Sequence, residues 1–63
     1  MRKYTIIYIG ENEATHNMEE KYFLIYDSRK TLMETIKKMK MFKIEIVEVF
    51  RTNNKGINTS INF

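Results

Sequence analysis

One imidazole, His16, lies in a polar stretch with the carboxylates Glu11, Glu13, Glu19 and Glu20, and any acid–base or metal chemistry would have to start there. The pattern supports neither. The chain has no cysteine, no serine stands near His16 to act as a nucleophile, and one histidine without thiolates cannot build a zinc site. The four glutamates do not follow the spacing of a calcium loop, and no rigid turn residue sits among them. We therefore expect no catalytic residue, no bound metal and no cofactor: a non-enzymatic protein.

Two other groups of side chains have clearer chemistry. Arg29, Lys30, Lys37, Lys38, Lys40 and Lys43 accompany a single acid, Glu34, between residues 28 and 43, whereas residues 11–27 hold Glu11, Glu13, Glu19, Glu20 and Asp27 against Lys21. The formal net charge of +3 is what is left of this dipolar distribution. A run of cations on a helix can be a solvated face or a phosphate-binding one, which makes Arg29, Lys30, Lys37, Lys38 and Lys40 candidate nucleic-acid contacts. The tyrosines Tyr4, Tyr8, Tyr22 and Tyr26 could pack along a sheet, stack on unpaired bases or form a protein interface.

The elements that must position these groups follow from periodicity. Lys3 to Ile9 is an apolar, β-branched and aromatic strand that we expect to stop at Gly10, and Lys21 to Tyr26 is a second strand. The polar residues Glu11 to Glu20 read as a surface loop, long enough for an antiparallel return. Asp27 and Ser28 are good helix caps, and Leu32, Ile36 and Met39 recur on one helical face, which predicts a helix from about Arg29 to about Met41. Phe42 to Arg51 is a third strand. Its glutamates, Glu45 and Glu48, are three apart, so the strand either carries a bulge near Ile46-Val47 or turns one glutamate to a poorly covered face. Asn53-Asn54-Lys55-Gly56 has the form of a type I turn ending in a left-handed glycine, and Ile57, Thr59, Ile61 and Phe63 alternate with polar residues as a fourth strand.

The order is ββαββ, or ββαβ if the last segment is not a strand: an α+β domain over 1–63 with a mainly antiparallel sheet of three to four strands and one helix on one face. The first two strands are apolar on both sides, and a single helix covers only one. We expect it to cover Ile7, Ile9, Phe23 and Ile25, which have no polar atoms, with Leu32, Ile36, Met39, Ile44 and Ile46 completing the core. Tyr4, Ile6, Tyr8, Tyr22, Leu24 and Tyr26 then form an open face that invites a partner.

Tyr8-Ile9-Gly10 resembles the second half of the signature of GIY-YIG nucleases. Tyr4-Thr5-Ile6 does not supply the first half, so the strand accounts for the match. The element order is shared with ubiquitin-like and immunoglobulin-binding small folds, and an order of elements carries no function with it.

Size and composition bound what remains. A domain of 63 residues hides only about 60% of its unfolded surface, so its core is thin. No apolar run approaches the ~20 residues of a membrane span, and a soluble, cytoplasmic protein is expected. Phe, Tyr, Met, Ile, Asn and Lys fill 36 positions while Gly, Ala, Arg and Pro fill six, a skew toward AT-rich codons that suggests a phage, a mobile element or an AT-rich bacterium. The expected function is protein binding, with self-association as a homodimer and inhibition of a host factor as forms it could take. Nucleic-acid binding through the lysine-rich helix is the alternative.

Overall fold

The computed structural model describes residues 3–63. Strands β1 (Lys3–Glu11) and β2 (Met18–Ile25) are followed by helix α1 (Arg29–Met41) and strands β3 (Ile46–Thr52) and β4 (Asn58–Ser60). All strand pairs are antiparallel and the sheet order is β2-β1-β3-β4, which leaves β2 and β4 as edges. The fold is the small α+β ββαββ domain that the periodicity predicts. Among the described residues no helix is long and apolar enough to cross a membrane.

Local signals account for the boundaries of α1. The Ser28 hydroxyl accepts from the Thr31 amide at 3.3 Å, and the Asp27 carboxylate accepts from the Ser28 amide at 2.7 Å and the Thr31 hydroxyl at 3.1 Å. These contacts occupy donors that the first turn leaves without helical acceptors. At the other end the amides of Lys43 and Ile44 donate to the carbonyls of Lys40 and Met39, the paired bonds of a Schellman motif. Lys43 occupies the left-handed position of that motif, with φ 59°, where glycine is the usual residue.

The two hairpins differ in how far the sequence anticipates them. In the β3–β4 turn, Gly56 has φ 79° and the Asn53 side chain accepts from the amides of Lys55 and Ile57, as the turn residues imply. The bulge also falls where the glutamate spacing puts it: Ile7 pairs with Glu48 and Tyr8 with Ile46, so Val47 is the extra residue. The β1–β2 connection is shorter than the expected Glu11–Glu20 loop. Both strands continue to a tight turn in which the Asn12 side chain accepts from the amides of Ala14 and Thr15, and His16 takes φ 59°.

Gly10, expected to stop β1, lies within it. A Cβ there would stand 3.0 Å from Cδ of Lys21 and 3.3 Å from the Tyr8 ring, so glycine makes room for neighbouring side chains rather than ending the strand.

The main correction concerns which face the helix covers. Tyr4, Ile6, Ile25, Leu32, Ile36, Met39, Val49 and Ile61 form the buried core, with Tyr8, Ile44 and Ile46 packed against it. Ile7 and Ile9, expected in that core, point to the opposite side, and Phe23 is exposed at the edge. Alternation within each strand was legible, but the register between strands was not. Tyr4 pairs with Ile25 and Ile6 with Phe23, so even positions of β1 share a face with odd positions of β2. Burial of Tyr4 strands no hydroxyl: no buried side-chain nitrogen or oxygen among the described residues lacks a partner.

Candidate functional site

Register divides the six residues expected on one open face into three groups. Tyr4 and Ile6 are 1% and 0% exposed beneath α1 and are unavailable to any partner of the folded chain. Tyr8 is partly buried against the same core. Tyr22, Leu24 and Tyr26 are exposed, by 67%, 46% and 60%. On the uncovered side of the sheet, pairing places Ile7 beside Tyr22 and Thr5 between Leu24 and Phe50, with Glu20 beside Ile9 and Glu48 beside Ile7. Ile7, Ile9 and Phe50 thus belong to this face. The two isoleucines therefore lie here and not in the expected core, and Phe50 joins them from β3.

Exposed apolar residues gather on β2, and on both of its sides. Phe23 pairs with Ile6 and therefore faces the helix layer, yet it is 45% exposed because β2 is an outer strand. Tyr22 and Leu24 show on the other side. Natural edges are usually blunted by shortness, proline, bulges or charge. The β4 edge is three residues long, whereas β2 is eight residues long, pairs with β1 without a register shift and contains no proline. Its charges, Glu19, Glu20 and Lys21, lie in its first half, and Tyr22 to Tyr26 are all apolar or aromatic.

The direction of the free backbone groups on this edge can be derived. The Asn12 amide donates to the Asn17 carbonyl at 2.8 Å, which makes that pair a hydrogen-bonded one. In an antiparallel ladder such pairs alternate with non-bonded pairs, so Glu19, Lys21, Phe23 and Ile25 direct their amides to β1. Met18, Glu20, Tyr22 and Leu24 direct theirs outward. The bond from the Ile9 amide to the Glu45 carbonyl agrees, because it requires odd residues of β1 to bond toward β3.

The candidate nucleic-acid contacts Arg29, Lys30, Lys37, Lys38 and Lys40 are all exposed on α1. None has a carboxylate within 4 Å; the ion-pair geometry found among the described residues is His16 Nδ1 to Glu11 at 3.4 Å. Lys38 and Lys40 lie in the last turn, where cations complement the helix dipole. Lys40 also stands 5.8 Å above the Phe63 ring, at one side of an apolar groove lined by Met33, Ile36 and Met41. Neither Tyr22 nor Tyr26 lines this groove, where Phe63 is the aromatic beside Lys37 and Lys40. The acidic hairpin gathers no group of three or more potential metal ligands among the described residues.

Comparison with protein-family models, curated proteins and solved structures finds no match.

Proposed function

We propose that this chain is a non-enzymatic binding protein that acts through protein contacts, and that its first partner is a second copy joined along β2. The observation that carries this is an eight-residue edge strand, without proline or bulge, whose second half exposes apolar residues on both faces. Docking on one sheet face would cover Tyr22 and Leu24 but leave Phe23 open. Edge pairing shields both sides.

Symmetry and charge select the register. A twofold axis through two antiparallel edges places a residue opposite its own counterpart, and the bonded pairs must be residues with outward amides. Centring on Lys21 opposes two lysines, and centring on Phe23 sets Glu19 against Asp27 of the second copy; both are repulsive. Centring on Tyr22 sets Glu19, Glu20 and Lys21 against Ile25, Leu24 and Phe23 and leaves all three charges without partners. Centring on Leu24 pairs Tyr22 with Tyr26 and Phe23 with Ile25, and brings Lys21 opposite Asp27. The two sheets become one of eight strands with both helices on the same side. The paired segment, Tyr22 to Tyr26 on each copy, is far shorter than the ~20–30 residues a side of standard interfaces, which favours a transient dimer.

Hydrogen exchange followed across a concentration series tests this arrangement. Amides of Tyr22 and Leu24 gain protection as the chain associates, while that of Glu20, beyond the paired segment, does not. Association that leaves Tyr22 and Leu24 exchanging freely and instead perturbs the Ile7 and Ile9 methyls would place the contact on the sheet face and overturn the edge model. AT-rich residue usage supports a phage, mobile-element or AT-rich bacterial source. Unpaired cations on α1 support nucleic-acid binding as a second reading, whose signature is steep weakening with salt.

A further inference from the structure

Arg29 and Arg51 are separated by 21 residues in sequence, yet both line one polar groove of about 310 Å³ together with Thr59, Ser60, Ile61 and Asn62. We propose that this groove binds a dianionic phosphate group, free or as a terminal monoester. It lies apart from the β2 edge, and the inference does not depend on dimerisation.

Each wall of the groove is set by the fold. Arg51 sits on the helix side of β3, in register with Tyr4 of β1 and Thr59 of β4, and is half-buried. Arg29 opens α1 directly after its Ser28 cap. The chain leaving β4 closes the side and is tied back to β3 by the Ile61 amide, which donates to the Val49 carbonyl at 2.8 Å.

Both arginines line the groove, and neither has a carboxylate within 4 Å among the described residues. The nearest acid in sequence, Asp27, has its oxygens engaged by the Ser28 amide and the Thr31 hydroxyl. Arg29 and Lys30 also stand at the positive end of the helix dipole, whose first turn contains no acid. Cations in that turn oppose the dipole instead of complementing it. Two cations without ion-pair partners, Arg29 and Arg51, thus line one groove, and Arg29 also opposes the helix dipole; a bound oxyanion relieves both placements. Planar guanidiniums hold phosphate through paired charge-assisted hydrogen bonds, and the Thr59 hydroxyl, in register with Arg51, adds a neutral donor. Two arginines on one groove favour a doubly charged phosphate over the singly charged diester of a nucleic-acid backbone.

Titration of the ¹⁵N-labelled chain at low ionic strength with inorganic phosphate, phenyl phosphate and an oligothymidylate lacking terminal phosphates tests the site. Inorganic and phenyl phosphate are expected to bind in the millimolar range or tighter and to shift the amides of Arg29, Arg51 and Thr59 to Asn62. Loss of one guanidinium in Arg51→Gln or Arg29→Gln weakens binding by about tenfold or more, because each removes a hydrogen bond to a charged group. Arg51→Lys keeps the charge but loses the fork and weakens binding severalfold. Lys43→Gln, beyond the opposite end of α1, leaves it unchanged. Arg29 is exposed, so its variant keeps the test valid if Arg51→Gln fails to fold. Equal losses in Lys43→Gln and Arg29→Gln would reduce the effect to general screening and overturn the site. Tighter binding of the oligothymidylate per phosphate than of phenyl phosphate would overturn the preference for a dianion.

Discussion

Leu24→Pro separates the proposed dimer from the fold that presents it. Thr5 and Leu24 form a non-bonded pair of the β1–β2 ladder, so the Leu24 amide points outward and its loss removes nothing from the monomer's sheet. Proline is tolerated on an edge in that orientation. Its stiffer backbone limits the unfolded chain, which offsets part of the lost packing beside Thr5. In the dimer the same amide lies on the twofold axis and is used twice. Each lost bond contributes about 1 kcal/mol net and strands a carbonyl at a further cost of about 1 kcal/mol, so the pair removes about 4 kcal/mol. That corresponds to roughly a thousandfold rise in the dimer Kd. Sedimentation equilibrium up to high micromolar concentration measures the change, and circular dichroism of the same samples confirms folding. A parent chain that stays monomeric throughout, or a folded Leu24→Pro whose Kd lies within a factor of a few of the parent's, refutes the edge geometry. Phe23→Pro is the matched contrast. Its amide bonds to β1, so this variant loses folded structure itself.

Further outcomes follow from other parts of the structure. Ile6→Ala should destabilise the monomer by about 3 kcal/mol and Ile7→Ala by about 1 kcal/mol in urea denaturation, because the adjacent isoleucines differ in burial; the reverse ranking would restore the opposite face assignment. Lys43→Gly should raise stability by about 0.5–1 kcal/mol, seen as a higher denaturation midpoint, since Lys43 takes a left-handed conformation that costs glycine little. Ser28→Ala should lower stability by about 1 kcal/mol through loss of the bond to the Thr31 amide. If α1 binds nucleic acid, replacing Lys37 and Lys38 by Glu abolishes that binding in a filter assay; an undiminished signal would assign the contact elsewhere.

Sequence alone determined the features that are decided locally. Hydroxyl and carboxylate caps fix the start of α1, a three-and-four spacing fixes its inner face at Leu32, Ile36 and Met39, and Gly56 fixes the β3–β4 turn. The Val47 bulge was one of the two arrangements that glutamates three residues apart allow in a strand of period two. Each depends on residues within a few positions of one another. The helix-covered face of β1 and β2 was not legible. Both faces are apolar, so composition could not rank them, and the choice turned on the Asn12–Asn17 hairpin, where a one-residue change in register would exchange Ile6 for Ile7 in the core. Tertiary structure also decided which tyrosines remain accessible, since Tyr4 is enclosed while Tyr22 shares its edge strand with the exposed Phe23. It alone brought Arg29 and Arg51 to one groove, because that neighbourhood exists only once α1 has packed across the sheet and β4 has returned beside β3.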